Sequence, residues 1–285
     1  MFQADLLKGQ TILITGGGSG LGRSMALRFA ELGANLFLAA RREEPLRQTV
    51  EDIRARGGRA AWATGDVRDF AAVEKVVETA CAEFGRVDAL VNNAAGNFVC
   101  PSERLSPNAF NAVVSIVLYG SFHCTLALGR RWIAEKQPGA VLSILATYVW
   151  TGSGFVLPSA CAKAGVLAMT RSLAVEWARH GIRLNAIAPG PFPTEGAWSR
   201  VIASREFEEI HRRRHPMQRF GEHSELTNLA AFLLAPHSGY INGDCVTIDG
   251  GQWLRQGGQF NDLLEAPPAL WDEMDRARKK AQGRD

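Results

Sequence analysis

The chain has 285 residues, 46 % of them apolar and 21 % charged, with a formal net charge of +3. That length and balance suit one α/β domain with a sizeable core, and so small a charge argues against a nucleic-acid partner. Five scattered cysteines (Cys81, Cys100, Cys124, Cys161, Cys245), none in C-x-x-C spacing, point to a reducing compartment and argue against a disulfide framework or a metal site.

No apolar run reads as long enough to cross a bilayer, so no membrane partner is expected. No signal or transit peptide fits before the first strand at Thr11, and the C-terminal Gln282-Gly283-Arg284-Asp285 is no peroxisomal address. The expected location is the cytoplasm. Arg212-Arg213-Arg214 is the one dense basic run, and its simplest role is a solvated helix face.

Thr11 to Thr15 is a short β-branched apolar run, followed by Gly16-Gly17-Gly18-Ser19-Gly20-Leu21-Gly22 and a helical pattern to Leu32. A strand, a glycine turn and a helix are the setting of a phosphate-binding loop. The glycines let the backbone approach a pyrophosphate, and the helix start offers free N–H groups. Asn35 to Ala40 reads as the second strand. Its end carries Arg41-Arg42 where a free ribose 2′-hydroxyl would call for a carboxylate, so the pattern selects a 2′-phosphate and NADP(H).

Glu43 to Arg56 is an amphipathic helix, and Ala60 to Thr64 a third strand. Asp66 follows that strand, where it can meet an adenine amino group. Asp69 is placed to cap a helix ending at Phe84. Ala89 to Asn92 is a fourth strand, running into Asn92-Asn93-Ala94-Ala95-Gly96-Asn97-Phe98. Pro107 to about Glu135 reads as one long apolar helix. The run Ala140 to Leu145 is a buried strand, and Tyr148 follows its end, where open α/β sheets bind ligands.

Ser159 and Lys163 lie four apart at the start of a helix reaching Ala178, hence on one face. Arg183 to Ala188 is a strand ending in the stiff loop Pro189-Gly190-Pro191-Phe192-Pro193-Thr194, which leads into the polar segment Glu195 to His215. Insertions at that point cover substrate sites, so residues from about 194 to 217 are expected to form a lid. Ser224 to Leu234 is a helix, Asp244 to Ile248 the last strand, and residues 252–285 a tail with a charged helix to Lys280. The expected architecture is one domain over residues 1–285, a Rossmann-type doubly wound parallel sheet of about seven strands with a helical substrate lid. The two long apolar helices imply a second burial partner and a homo-oligomer.

Over nearly its whole length the sequence resembles the short-chain dehydrogenase/reductases. The carrying residues are Thr15-Gly16-x-x-x-Gly20-x-Gly22, Asn92-Asn93-Ala94-Ala95-Gly96, Lys163 and Pro189-Gly190. It departs at one place: the family's acid/base tyrosine, four residues before the lysine, is Ser159. Tyr119 stands where the family's helix asparagine is expected.

One branch, the mitochondrial-type 2,4-dienoyl-CoA reductases, is closely similar. The likeness runs through Asn93 to Phe98, Glu103 to Ala109, Thr151 to Val156, Pro158 to Ala160, Ala162 to Gly165, Pro189 to Pro191 and Gly258 to Leu263. The resemblance implies catalytic roles for Tyr148, Asn97, Ser159 and Lys163. It implies cofactor contacts from Gly16, Gly17, Gly18, Ser19, Gly20, Leu21, Arg41, Asp66, Lys163, Pro189, Gly190, Pro191 and Phe192. Substrate contacts carried over are Arg68, Phe98, Ser106 and Arg200. The activity implied is NADPH-dependent reduction of a 2,4-dienoyl-CoA to a 3-enoyl-CoA in unsaturated fatty acid β-oxidation, by a homotetramer.

Each residue also has a structural alternative: Tyr148 a packed aromatic, Asn97 a turn former, Ser159 the N-cap of the Lys163 helix. Rival functions are reduction of a 3-oxoacyl or 2-enoyl thioester, and NADP(H) binding without catalysis.

Overall fold

The computed structural model describes residues 3–194, 205–257 and 260–281. Seven strands form one parallel sheet: β1 (Thr11–Thr15), β2 (Asn35–Ala40), β3 (Arg59–Thr64), β4 (Ala89–Asn92), β5 (Gly139–Ile144), β6 (Ile182–Pro189) and β7 (Cys245–Ile248). Their order is β3-β2-β1-β4-β5-β6-β7, so the winding reverses between β1 and β4. Strands β1, β4 and β5 are buried at every position, which is why they read as unbroken apolar runs and not as alternating ones.

The first three helices are α1 (Gly20–Glu31), α2 (Glu43–Ala55) and α3 (Phe70–Phe84). The expected cap forms at α3, where the Asp69 carboxylate accepts from the Ala71 N–H at 3.0 Å. The expected helix from Pro107 is continuous in direction but has three parts: α4 (Pro107–Val114), a π-helical turn at Ser115–Tyr119, and α5 (Gly120–Ala134). A π-turn inserts an extra residue and re-aims the side chains beyond it. Val117 thereby faces inward, 1 % exposed, in one cluster with Ala162 and Val166. Tyr119 points outward at 54 % exposure and stacks on His123, with ring centroids 6.5 Å apart. The residues turned toward the lysine-bearing helix are therefore Val117 and Leu118, not Tyr119.

The stretch Pro107–Ala134 also corrects the reading of the membrane: it is long and apolar enough to cross one by length and composition. Here it places Val113, Cys124, Leu128 and Trp132 in the core.

A single short turn α6 (Tyr148–Thr151) precedes α7 (Leu157–Trp177). Beyond β6 come α8 (Arg205–Arg214) and α9 (His223–Leu234), then after β7 the short α10 (Gln252–Gly257) and the tail helix α11 (Pro268–Ala281). Helices α1, α2 and α9 close one face of the sheet around Met25, Phe29, Leu36, Leu38 and Leu226. The other face is closed by α3, α5 and α7 around Phe37, Val76, Leu128, Trp132 and Trp177. Of the expected lid, α8 is among the described residues. Positions 195–204, Arg200 among them, lie outside them.

Candidate active site

Every segment singled out in the sequence leaves the carboxyl end of a strand, and in a parallel sheet those ends share one edge. The crevice opens where the winding reverses, between β1 and β4. Thr15 and Asn93 shape it. Thr15 Oγ1 accepts from the N–H groups of Asn93 and Ala94, each at 3.0 Å, while Asn93 Nδ2 donates to the Thr15 carbonyl at 3.0 Å. The glycine turn is packed to contact: a Cβ on Gly22 would stand 2.2 Å from the Gly16 carbonyl oxygen. Gly16 has φ of +68°, a region that disfavours any side chain.

Helix α1 starts at Ser19 without a side-chain cap, and no acidic residue stands in its first turn. Its first N–H groups are left for an anion, as a dinucleotide pyrophosphate requires. A cavity of about 410 Å³ and another of about 520 Å³ flank this region. The larger is lined by Gly16, Ser19, Arg41, Arg42, Asp66 and Ile116. Two guanidiniums, a carboxylate and an uncapped helix start in one cavity fit the adenine half of a nicotinamide dinucleotide. The Asp66 carboxylate is gripped by Arg68, with Nη2 to Oδ2 at 2.6 Å, which lowers its pKa below the usual carboxylate range. Arg68, expected on the substrate, thus makes its ion pair with Asp66.

The chemical groups stand at the next two strands. Lys163 is 7 % exposed on α7, and its ammonium donates to the Ile144 carbonyl at the end of β5. Burial pulls its pKa down to about 8. Ser159, one turn earlier and 2 % exposed, is inside α7, whose N-cap is Val156. Its capping alternative is thereby excluded. Its hydroxyl instead lies 2.8 Å from Tyr148 Oη. Burial raises the Tyr148 pKa, and the bond to Ser159 opposes that rise.

Asn97 lies exposed on the loop after β4, beside the β5 loop that carries Tyr148. Its Oδ1 accepts from the Phe98 N–H at 2.9 Å, which leaves the amide hydrogens to donate elsewhere. Phe98 packs on the Val113–Val117 cluster. Ser106, expected at the substrate, caps α4 by accepting from the Ala109 N–H at 3.1 Å.

Two features went unread in the sequence. Thr194 ends the proline-stiffened loop, and a Cβ built on Gly20 would lie 3.5 Å from its methyl, so Thr194 overhangs the start of α1. Rigid φ at Pro189, Pro191 and Pro193 was a signal that the residue after them is held in place. Trp150, two residues after Tyr148, packs on Trp253 of α10, with ring centroids 5.2 Å apart. Trp253 also lines the second cavity with Phe192, Met217, Phe220 and Leu254. No local pattern connects tryptophans so far apart in the chain.

The chain belongs to the short-chain dehydrogenase/reductase family and is an oxidoreductase: the model described as Enoyl-(Acyl carrier protein) reductase matches residues 16–252. A Bacillus subtilis protein named a probable 2,4-dienoyl-CoA reductase, (2E)-enoyl-CoA-producing, is 47 % identical over 86 % of this chain and 97 % of its own. A Caenorhabditis elegans protein named probable 2,4-dienoyl-CoA reductase 3, (3E)-enoyl-CoA-producing, is 42 % identical over 94 % of this chain and 87 % of its own. Among solved structures, a short chain dehydrogenase from Bacillus anthracis is 43 % identical with a TM-score of 0.78, covering 85 % of this chain and 96 % of that one. A gluconate 5-dehydrogenase from Burkholderia cenocepacia, in complex with NADP and tartrate, is 31 % identical with a TM-score of 0.81, covering 87 % and 97 %.

Proposed function

We propose that this protein reduces 2,4-dienoyl-CoA thioesters with NADPH. The observation that carries the reading is the hydroxyl pair Tyr148–Ser159, which joins a tyrosine from the β5 loop to the helix face of Lys163. The names of relatives at 34–47 % identity agree with it. Bound in the crevice, NADPH would supply a hydride to the substrate carbon farthest along the diene from the thioester. Negative charge then spreads to the thioester oxygen as a dienolate.

The residues of the chain meet that charge. Tyr148 hydroxyl and Asn97 amide are donors aimed at the thioester oxygen, and a donor of this kind contributes about 3–4 kcal/mol where removed from other enzymes. Ser159 sets the direction of the Tyr148 hydroxyl. Lys163 holds the nicotinamide ribose and adds positive potential when protonated. Arg41 and Arg42 favour the 2′-phosphate, hence NADP(H) over NAD(H). The cavity walled by Phe192, Met217, Trp253 and Leu254 suits the acyl tail.

Protonation of the dienolate at C2 yields a 3-enoyl-CoA, and protonation at C4 a 2-enoyl-CoA. We assign the first, although the Bacillus subtilis relative carries the second in its name. A homotetramer in the cytoplasm, acting in unsaturated fatty acid β-oxidation, completes the reading.

The test is NADPH oxidation with 2,4-hexadienoyl-CoA beside a 3-oxoacyl-CoA and a simple 2-enoyl-CoA, with NMR of the product. Turnover of the dienoyl substrate alone supports the assignment. Turnover of the 3-oxo substrate alone overturns it, together with the roles given to Tyr148 and Asn97.

A further inference from the structure

Helix α9 begins with His223, and its ring bridges two distant parts of the chain. Nδ1 lies 2.7 Å from Ser24 Oγ on α1, and Nε2 lies 2.7 Å from the Pro193 carbonyl oxygen. A carbonyl only accepts, so Nε2 carries the proton and donates. In the neutral ring Nδ1 is then the acceptor, and the single Ser24 hydroxyl proton lies between it and the Gly20 carbonyl oxygen, 3.2 Å away, with the shorter contact to the imidazole. The imidazole is thus spanned by two short hydrogen bonds, one to the helix that receives the pyrophosphate and one to the loop that leaves β6.

The loop is gripped at a neighbouring point as well. Gly221 N–H donates to the Pro191 carbonyl at 3.0 Å, and the buried ring of Phe192 lies against Gly221. Pro193 is followed at once by Thr194, whose methyl overhangs Gly20. Fixing the Pro193 carbonyl fixes where Thr194 stands above the start of α1.

The same two helices are joined a second time, five residues further along α9. Arg28 Nε donates to Asn228 Oδ1 at 3.0 Å. That bond reaches no loop, so it supplies a control: it ties α1 to α9 without touching the cover of the crevice.

We propose that His223 is a positioning residue for the dinucleotide, latching the Pro193–Thr194 segment onto α1 through Ser24. It rests on the reading of the crevice as a dinucleotide site, and it needs no assumption about the thioester. The latch would act on the bound cofactor by presetting the loop that stands over the start of α1, where the phosphates would sit. Without it the loop must be ordered at each binding event, which weakens affinity without removing a contact.

The experiment measures NADPH binding by nucleotide fluorescence, with steady-state kinetics and thermal melting, in His223→Val, His223→Gln, Ser24→Ala and Asn228→Ala. His223→Val is expected to raise the NADPH Kd and KM about tenfold, with a much smaller change in dienoyl-CoA KM at saturating NADPH. Ser24→Ala should reproduce part of that loss, and the double variant Ser24→Ala/His223→Val should lose no more than His223→Val alone. His223→Gln, which keeps a donor and an acceptor, should recover most of the affinity. Asn228→Ala should leave NADPH affinity unchanged.

Wild-type NADPH affinity in His223→Val overturns the proposal. So does an affinity loss of the same size in Asn228→Ala, which would make the effect one of helix packing. A His223→Val melting point far below wild type shifts the decision to His223→Gln and Ser24→Ala, whose unchanged affinities would equally overturn it. Failure of the dienoyl-CoA assay leaves these readouts intact. Tight binding of NADH in place of NADPH changes only the probe.

Discussion

Tyr148 Oη and Ser159 Oγ stand 2.8 Å apart, with Lys163 one helical turn beyond the serine. The position four residues before the lysine thus still carries a hydroxyl, and it is hydrogen-bonded to a phenol that arrives from another element. Tyr148→Phe should lower kcat about 100- to 1,000-fold with NADPH affinity within twofold of wild type. Ser159→Ala leaves the phenol in place but unguided, and should cost about tenfold. Stopped-flow hydride transfer measures both. Equal losses in the two variants would mean that Ser159, too, meets the substrate directly.

Lys163 sets a pH dependence. Its ammonium is buried, and its pKa is lowered from 10.5 to about 8. The charged form prevails below that pH and is lost above it. Binding that relies on the charge must therefore weaken as pH rises through about 8. NADPH Kd, followed from pH 6.5 to 9.5, should rise by about three- to tenfold across that window, since a charge-assisted hydrogen bond is about twice as strong as a neutral one. In Lys163→Met the affinity should be weaker at every pH and flat over the same range.

Arg41 tests the cofactor choice. The cavity is lined by Arg41, Arg42 and Asp66, and the Asp66 carboxylate is paired with Arg68. Arg41→Ala should raise the NADPH Kd about 10- to 100-fold, the cost of losing hydrogen bonds to a charged group, and leave NADH nearly unaffected. An equal loss for both nucleotides would place Arg41 away from the 2′-phosphate.

Gly22 is a test of packing. A methyl there meets the Gly16 carbonyl and the Asn93 amide, which are bonded to each other, while the amide is also bonded to the Thr15 carbonyl. Gly22→Ala should lower stability by about 1–3 kcal/mol, as overpacking does elsewhere, and weaken NADPH binding in parallel. Urea denaturation and fluorescence titration read the two effects separately.

Much of the sheet was legible because buried parallel strands are short apolar runs, ended at β1, β3, β4 and β6 by Gly, Asn or Pro. The bounds of β1, β2 and β4 fall where the residues place them. The glycine turn was legible for the same reason, since its chemistry is local. The π-turn was not, because Ser115–Tyr119 has the composition of ordinary helix and the extra residue appears only in the packing of Val117 against Ala162. Nor was the bond from Tyr148 to Ser159, nor His223 between Ser24 and Pro193. These contacts join segments with no shared pattern, and the fold brings them together only after the helices have docked. Ser106 and Arg68 were expected at the substrate from resemblance, and their visible partners are a helix cap and Asp66.

Helix α6 has a consequence of its own. Four residues cannot sustain a helix in isolation, because nucleation costs more than one turn returns. The turn that carries Tyr148 is held from outside, by Ser159 at one end and by Trp253 against Trp150 at the other. Its order is borrowed from α7 and α10. Regions held in this way open in their own right, below the free energy of global unfolding. Warming should therefore disable the reaction centre while the sheet is still intact, and amide exchange at residues 148–152 should run ahead of exchange in β1 and β4. The enzyme would have two melting points, and the lower one would belong to its chemistry.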